Sequence, residues 1–384
     1  MVNAVAMPPI DARPYRLDDT RSLLTPSLVV YPDIVQSNLR QAINWAGGNP
    51  ARLRPHAKTH KTIDVIQMEL ALGITKHKCA TLFEADMLAR AGAPDVLIAY
   101  PMVGPNIGLF VELVARYAGR TDFSVLVDHP APVPMLADAL REKNQTSRVM
   151  IDLDAGMGRT GVLPGPAVIE LARQIVGHAS LQWDGLHLYD GDVDSPSPEV
   201  RADRVSQEFA LLCRLTSDLE SVGLPVRRWV VAGTGTFAAW LHVGKDDARL
   251  EASPGTFVFS DWNYHQRFAE LRMTPAAILW TRVVSLPRPG RLTCDLGHKA
   301  VAADPSKEQR VHFLDLEEQT LFKQNEEHLV VDTREADRFA PGDLLMAISY
   351  HICPTCALHR DMYIARNGTL VGRWQVAGRD RDWR

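Results

Sequence analysis

The sequence predicts an α/β protein, a (β/α)8 TIM barrel followed by a C-terminal β-rich domain. Residues 27–265 alternate short β-branched runs with amphipathic stretches about eight times, which is typical of parallel strands joined by helices. After about residue 266 the pattern changes to short strand-like runs separated by tight turns. The chain of 384 residues is also longer than one hydrophobic core usually supports, so a second domain is expected.

The predicted elements follow one another in a regular order. The barrel strands are predicted at Arg52–His56, His77–Leu82, Val96–Pro101, Phe123–Asp128, Val149–Asp154, Trp183–Tyr189, Trp229–Gly233 and Arg249–Phe257. Helices are predicted at 33–46, 62–73, 82–92, 107–118, 132–142, 166–176 and 199–223. An open doubly wound sheet is the alternative, and it is disfavoured because no GxGxxG motif opens the first helix.

The predicted domains are an N-terminal segment, the barrel and the β-rich domain. Their boundaries are 1–26, 27–265 and 266–384, and the first segment is expected to pack on the β-rich domain. Within that last domain, Arg288-Pro-Gly290 and Arg366-Asn-Gly368 are predicted to be hairpin turns.

Composition excludes several classes of protein. The formal net charge of -4 argues against a nucleic-acid-binding face, and no apolar run approaches the roughly 20 residues of a membrane helix. The N-terminus lacks the basic start and apolar core of a secretory signal. Five cysteines at irregular spacing argue against a disulfide framework. We therefore expect a cytoplasmic protein.

The first candidate catalytic motif is Leu53-Arg-Pro-His-Ala-Lys-Thr-His-Lys61, at a predicted strand end. Catalytic groups of barrels lie at the carboxyl ends of the strands. A lysine among apolar barrel residues is desolvated, so its amine becomes neutral and can form a Schiff base. Lys58 is the candidate, and a basic loop at the barrel rim is the alternative. A metal pair of His56 and His60 is also open, although Pro55 disfavours the helix that this spacing needs.

Two glycine-bearing turns follow the last predicted barrel strands. They are Gly233-Thr-Gly-Thr236 and Gly255-Thr256, each rich in hydroxyl side chains. Barrels commonly bind phosphate at this position through backbone N–H groups. Glycine turns follow most barrel strands, so one such turn is weak evidence for a phosphate site. The prediction depends on two hydroxyl-rich turns following successive strands.

A third motif, His351-Ile-Cys353, lies late in the chain. His351 and Cys353 alternate on a predicted strand, so both side chains point to the same face, and they are suited to bind a metal completed by water or substrate. Two alternatives remain: a redox dithiol formed with Cys356, and a buried cysteine beside a surface histidine.

A fourth motif is the glycine-rich loop that contains Arg159, after the strand ending at Asp154. Its guanidinium is suited to bind a cofactor phenolate or a substrate carboxylate. The alternative is an ion pair with Asp152 or Asp154.

Taken together, these motifs resemble the D-threonine aldolase / D-serine dehydratase family, from about Leu28 to Arg379. The motifs that carry the resemblance are Arg54-Pro-His-x-Lys58-Thr-His-Lys, Gly156-x-Gly-Arg159-x-Gly, Gly233-Thr-Gly-Thr, Gly255-Thr256 and His351-x-Cys353. These family members are fold-type III pyridoxal-phosphate (PLP) enzymes with an alanine-racemase-like barrel. The resemblance therefore implies PLP and a divalent metal (zinc, manganese, cobalt or magnesium) as cofactors.

The resemblance also implies roles for individual residues. Lys58 would carry PLP, Arg159 would contact its ring substituents, and Tyr189 would line the pocket. The phosphate would be held by Gly233, Thr234, Gly235, Thr236, Gly255 and Thr256. His351 and Cys353 would bind the metal. By analogy with fold-type III enzymes, a head-to-tail homodimer is expected.

The family implies two reactions on a D-β-hydroxy-α-amino acid. Retro-aldol cleavage gives glycine and an aldehyde, whereas dehydration gives a 2-oxo acid and ammonia. Cys353 resembles the dehydratases, since the aldolases usually carry Asp at that position, but the tail of the chain resembles the aldolases. We expect retro-aldol cleavage, with Asp190 as the base and His60 and His328 as further candidates. A racemase and a non-catalytic PLP-binding protein are less favoured.

Overall fold

A computed structural model describes residues 10–381 of the chain. Its strands are β1 Ser27–Val30, β2 Lys76–Cys79, β3 Asp95–Pro101, β4 Asp122–Val127, β5 Ser147–Leu153, β6 Leu181–Leu188, β7 Arg228–Val231, β8 Leu250–Ala252, β9 Ala277–Arg288, β10 Arg291–Cys294, β11 Val311–Phe313, β12 Thr320–Gln324, β13 Leu329–Asp332, β14 Leu344–Ser349, β15 Asp361–Arg366 and β16 Thr369–Gln375. Its helices are α1 Pro32–Trp45, α2 Ile63–Ala71, α3 Leu82–Arg90, α4 Asn106–Arg116, α5 Pro132–Glu142, α6 Pro166–Val176, α7 Pro198–Ser221, α8 Phe237–Val243, α9 Trp262–Arg267 and α10 Ile352–Leu358. The predicted (β/α)8 barrel and C-terminal β-rich domain are confirmed.

The described residues divide into two compact units. The barrel unit contains residues 40–58, 63–255 and 380–381, and the β unit contains residues 10–39, 59–62 and 256–379. Strand pairing explains part of this division, because β1 joins the β-unit sheet, parallel to β15 and antiparallel to β9.

In the barrel unit, seven parallel strands run in the order β2-β3-β4-β5-β6-β7-β8. The segment from Leu53 to His56 lies between the two edge strands of this sheet. Leu53 bridges to Ala252 of β8 and His56 bridges to Lys78 of β2, both in parallel. This segment therefore completes the ring that the eight predicted strands require.

The predicted strand Arg52–His56 differs from the structure, because a 3-10 helix covers Pro50–Arg52 and only single bridges follow. Pro55 has no N–H to donate, so it interrupts the ladder. The predicted strand Arg249–Phe257 is likewise shortened to Leu250–Ala252, and a 3-10 helix forms at Thr256–Val258. Pro254 removes a donor there for the same reason.

A buried ionic cluster lies at the amino ends of the barrel strands. Arg54 Nη1 pairs with Asp95 Oδ1 and its Nε with Glu251 Oε2, each at 2.6 Å. Arg148 and Arg228 also contact Asp95, at 3.1 Å and 3.0 Å. Above this cluster, an apolar core formed by Leu97, Leu126, Met150 and Val230 fills the interior. This end of a barrel serves stability, whereas the opposite end carries chemistry.

The β unit contains a nine-stranded sheet with the order β12-β13-β10-β9-β1-β15-β16, in which β14 pairs with both β9 and β11. The two predicted hairpin turns are confirmed, since β9 and β10 are joined at Pro289-Gly290 and β15 and β16 at Asn367-Gly368. Asn367 and Gly368 both have positive φ, at 47° and 73°, as a two-residue type I′ turn requires.

Part of the predicted N-terminal segment, residues 1–9, lies outside the described residues. In the described part, Tyr15 and Leu23 are buried in one cluster with Val29, Trp280 and Met346 of the β unit. The Tyr15 hydroxyl donates a hydrogen bond to the Pro275 carbonyl at 2.8 Å.

None of the helices in residues 10–381 is long and apolar enough to cross a membrane.

Candidate active site

A cavity of about 350 Å³ lies at the carboxyl ends of the barrel strands. Lys58, Arg159 and Tyr189 all line it, and Tyr189 follows β6 directly. Lys58 Nζ lies 5.4 Å from the centroid of the Tyr189 ring, and Arg159 Cζ lies 5.2 Å from it. The structure therefore brings together three residues that are far apart in the sequence. Arg159 contacts this ring, whereas Asp154 accepts hydrogen bonds from the backbone of its own loop.

Three residues that sequence reasoning missed form the floor of this cavity. Lys78, on β2, is 1% exposed, and its Nζ lies 3.4 Å from Nε2 of His187 on β6. His187 Nδ1 is in turn 2.6 Å from Asp152 Oδ1, on β5. The available signal was Lys76-His-Lys78, in which a lysine alternates with histidine inside a strand that the barrel buries.

Burial determines the charge states of this floor. Burial and the nearby positive charge of Lys58 lower the pKa of Lys78 to about 7. Burial also lowers the pKa of His187, so the imidazole is neutral. Although burial opposes it, the neighbouring His187 holds the pKa of Asp152 below its usual value. The pair is therefore a carboxylate and a neutral imidazole.

The first predicted phosphate loop begins at Gly233, beside the cavity wall. A Cβ at Gly233 would lie only 3.2 Å from the Tyr189 ring, so a larger residue here would crowd that ring. The Thr234 hydroxyl accepts a hydrogen bond from Gly255 N at 3.0 Å, which ties the two predicted phosphate turns together. Among the hydrogen bonds of residues 10–381, none uses the N–H groups of Thr234 and Gly235. These two groups can bind an anion.

Asp190 supports this loop, and the geometry does not favour it as a base. Its Oδ1 accepts a hydrogen bond from Gly233 N at 2.8 Å, and its Oδ2 accepts one from Trp240 Nε1 at 2.8 Å. Burial raises the pKa of Asp190, and hydrogen bonds from Thr236, Trp240 and Gly233 oppose this rise. Both oxygens are thus occupied in holding the loop, so we infer a positioning role.

These features fit the cofactor that the sequence implies. PLP needs an amine for its carbonyl, donors for its phosphate, a cation for its ring oxygen and a surface for its ring. The barrel unit offers the Lys58 amine, the free N–H groups of Thr234 and Gly235, the Arg159 guanidinium and the Tyr189 ring.

In the β unit, the structure corrects the predicted strand at His351 and Cys353. Strand β14 ends at Ser349, His351 is the N-cap of α10, and Cys353 lies in its first turn. Pro354 explains the difference, because proline is tolerated in the first turn of a helix, where its missing N–H has no partner to lose. The strand-to-helix setting that a Cys-x-x-Cys motif needs is therefore present, and Cys356 is buried.

The side chains of His351 and Cys353 interact and have further partners. His351 Nδ1 lies 2.5 Å from Asp304 Oδ2. Although burial opposes it, hydrogen bonds to Cys353 and Asp304 raise the pKa of His351 to about 9. Cys353 Sγ lies 3.1 Å from Thr59 Oγ1, and Thr59 is the residue after Lys58 in the chain.

Thr256, whose role in phosphate binding stays a prediction, has a side-chain contact in the β unit. Its hydroxyl lies 3.5 Å from Cys353 Sγ, within the β unit. The nearby Asp261 caps α9 by accepting from Tyr264 N at 2.9 Å, and it also accepts from Ile352 N at 3.1 Å. Asp261 therefore fixes the start of α10, which carries the candidate metal ligands.

His351 and Cys353 supply only two donors, so they fit a metal site whose other coordination positions are open. No group of three or more His, Cys, Asp or Glu side chains that could hold an ion occurs among the residues that the structure describes. The bond from Nδ1 to Asp304 would leave Nε2 of His351 as the donor to a metal, an arrangement common for metal-bound histidines. Cys353 would be the second donor, with the remaining positions open for water or substrate.

The remaining base candidates are both in the β unit. His60 is buried, and its Nδ1 accepts a hydrogen bond from Thr62 N at 3.2 Å. Its ring packs edge-on against Phe259. His328 is exposed in the turn between β12 and β13, where its carbonyl accepts a hydrogen bond from Asn325 N.

Comparison with known proteins agrees with this fold. Residues 30–261 match the family model of the alanine racemase N-terminal domain, and residues 276–365 match that of a putative serine dehydratase domain. A D-threonine aldolase from Arthrobacter sp is 28% identical, over 99% of this chain and 98% of its own length. A 3-hydroxy-D-aspartate aldolase from Paracoccus denitrificans is 27% identical, over 95% of this chain and 94% of its own.

A solved D-threonine aldolase from Filomicrobium marinum superimposes with a TM-score of 0.84, at 26% identity over 93% of this chain and 95% of that one. The alanine-racemase family model covers more than half of the sequence, and the aldolase matches run along nearly all of it. The chain therefore belongs to the D-threonine aldolase / D-serine dehydratase family of PLP-dependent enzymes.

Proposed function

We propose that this chain is a PLP- and divalent-metal-dependent lyase that cleaves D-threonine-like D-β-hydroxy-α-amino acids to glycine and an aldehyde. The proposal rests on two residues that are adjacent in the chain. One belongs to the candidate cofactor site, and the other contacts a candidate metal ligand. Lys58 lines the barrel cavity, and Thr59, the next residue, is hydrogen-bonded with the candidate metal ligand Cys353. A racemase would give no reason for such a ligand pair.

In this proposal, the barrel unit holds the cofactor. Lys58 would hold PLP through its amine, Thr234 and Gly235 would bind the phosphate, and Arg159 would bind the ring oxygen. Tyr189 would pack against the ring. When bound, PLP supplies an electron sink for the substrate's Cα.

In the β unit, His351 and Cys353 would hold the metal, which would supply Lewis acidity toward the β-hydroxyl group. A cysteine ligand favours a softer ion, so zinc is preferred over manganese, cobalt or magnesium. Asp304 would orient the His351 ring through Nδ1, at 2.5 Å. Since Asp190 is occupied, His60 and His328 remain the candidates for accepting the hydroxyl proton.

A dehydratase that gives a 2-oxo acid and ammonia is the alternative function. The thiol at Cys353 favours it, because this residue type resembles the dehydratases of the family. The serine dehydratase domain model also matches residues 276–365. The two aldolases compared above support cleavage, since both align over at least 95% of the chain.

Product analysis decides between these functions. The purified protein, supplied with PLP and zinc or manganese, is incubated with D-threonine, D-phenylserine and D-serine, and with L-threonine as the control. We expect glycine and the aldehyde from the first two and no turnover of the L-isomer. Formation of 2-oxobutanoate and ammonia from D-threonine without glycine would transfer the protein to the dehydratases.

A further inference from the structure

The strongest unexplained feature of the cavity is a second lysine. Lys78 is 1% exposed and lines the same cavity as Lys58, although sequence reasoning gave it no role. A buried amine is costly unless it is hydrogen-bonded. Its Nζ lies 3.4 Å from His187 Nε2 and 5.7 Å from the centroid of the Tyr189 ring. Lys78 therefore contacts one polar side chain and lines the cavity in which a ligand would bind.

The hydrogen bonds behind Lys78 fix which atom donates. Asp152 is anionic, and its Oδ2 accepts a hydrogen bond from the Thr160 hydroxyl at 2.8 Å. Asp152 Oδ1, 2.6 Å from His187 Nδ1, accepts the proton of that nitrogen. Since the imidazole is neutral, Nε2 has a lone pair and accepts a hydrogen bond from Lys78.

The charged groups around Lys78 shift its pKa in opposite directions. Lys58 and Arg54 lower the pKa of Lys78 further after burial, whereas Asp152 and Asp190 raise it. His56 also lines the cavity, bridged to Lys78 through the backbone. As a result the pKa is about 7, so both the ammonium and the amine are present at neutral pH.

A second amine has a use that Lys58 cannot serve while the cofactor is attached to it. Lys58 Nζ is then bonded to the cofactor and is not a free amine, whereas Lys78 keeps a free amine in that state and also after the amino acid displaces Lys58. An amine near neutrality, oriented from behind by an imidazole and a carboxylate, is suited to proton transfer. A purely structural lysine would not need to face the cavity.

We propose that Lys78 is a second functional amine of the cavity, oriented by His187 and Asp152, that exchanges a proton with the PLP and amino acid bound there. In the forward step one N–H bond of the ammonium breaks, and its electron pair stays on Nζ. The proton forms a bond to an acceptor atom of the ligand, and the reverse step returns it, so no oxidant or reductant is needed. His187 and Asp152 are positioning residues. This inference rests on the proposed function, because it needs PLP in the cavity.

The test is a pH titration of the visible absorption band of the holoenzyme with glycine bound. Lys78→Met fixes the position as uncharged, and Lys78→Arg fixes it as a cation. We expect the wild-type band to change between pH 6 and 8, resembling Lys78→Arg at low pH and Lys78→Met at high pH (about pH 7 being the midpoint). Neither variant should show the transition.

Asp152→Asn provides an independent variant that keeps Lys78. Loss of the carboxylate removes a charge that favours the ammonium, so the midpoint should fall by about 1 unit or more. Lys143→Met, at an exposed lysine, is the matched control and should keep the wild-type midpoint.

The outcomes separate this inference from the proposed function. If the wild-type protein forms no visible band with PLP, the proposed function fails. If the band forms but every variant that folds titrates at the wild-type midpoint, only the role of Lys78 is overturned. Should both Lys78 variants fail to fold, an unshifted midpoint in Asp152→Asn would overturn it instead.

Discussion

Replacing Asp190 by asparagine tests whether this carboxylate holds the phosphate loop or acts as the base. Its two oxygens accept hydrogen bonds from Gly233 N and Trp240 Nε1, both at 2.8 Å. An asparagine amide offers one oxygen and one NH2 group. In either orientation, the NH2 group therefore faces an N–H donor.

The expected loss of PLP binding in Asp190→Asn follows from these two hydrogen bonds. A hydrogen bond to a charged group contributes about 1.5–3 kcal/mol, and a buried donor left without an acceptor costs about 1–3 kcal/mol. The native carboxylate is itself disfavoured by burial, which raises its pKa and offsets part of this loss. We therefore expect about 1.4–2.8 kcal/mol weaker PLP binding, a rise in Kd of about 10- to 100-fold.

The assay is titration of the apo-protein with PLP, followed by absorbance or tryptophan fluorescence. Asp192→Asn is the matched control, since Asp192 is exposed and its pair with Arg204 at 3.6 Å is weak. Its Kd should stay within about 3-fold, because exposed ion pairs contribute about 0–1 kcal/mol. A wild-type Kd together with a strongly reduced kcat in Asp190→Asn would refute the positioning role and restore Asp190 as the base.

Four further predictions address the cofactor, the metal, the assembly and the stability. Lys58→Ala should lose the visible band that borohydride reduces in the wild-type protein; a retained band would assign the amine to another lysine. Chelation, or His351→Ala, should abolish turnover while PLP absorption persists, and full activity of a preparation shown to be metal-free would contradict this. Light scattering should show a homodimer at assay concentration, and a fully active monomer would contradict this. Arg54→Met leaves the buried Glu251 and the half-buried Asp95 with fewer partners, so unfolding by urea should show a loss of about 3–5 kcal/mol; a loss below about 1 kcal/mol would contradict this.

The same ionic cluster predicts how stability depends on pH. Although burial opposes it, Arg54 and Arg148 hold the pKa of Asp95 well below its usual value. A carboxyl whose folded pKa is lowered stabilises the fold above its unfolded pKa, near 3.9, and this contribution is lost as pH falls further. In Arg54→Met, the loss of stability between about pH 5 and 2 should be smaller than in the wild-type protein.

Local patterns predicted the regular parts of the fold. The alternation of strands and helices identified the barrel, and proline, asparagine and glycine identified two hairpins. Strand pairings between segments distant in sequence could not be predicted from such local patterns. Strand Ser27–Val30 pairs with β9 and with β15, more than 240 residues away, and no local signal specifies that partner.

The same difference between local and long-range signals applies to the residues of the candidate site. Lys58 and the turn at Gly233 carried local signals, a strand end and glycine-rich composition. Lys78 was missed, because a lysine in a short polar strand suggests an exposed face. His351 and Cys353 interact, but they lie on a different element from the predicted strand, because a helix begins at Ile352 with Pro354 in its first turn.

The segment from Arg54 to Lys58 shows why a barrel can place stability and chemistry so close together in sequence. Arg54 is buried at the amino ends of the strands, in contact with Asp95 and Glu251. Four residues later, Lys58 lines the cavity at the carboxyl ends. Between them His56 bridges to Lys78, and Pro55 breaks the ladder. Because the ionic contacts of Arg54 fix the lower end, the irregular segment can hold Lys58 without a regular strand beneath it. The Arg54→Met protein should accordingly bind PLP more weakly, although Arg54 does not line the cavity.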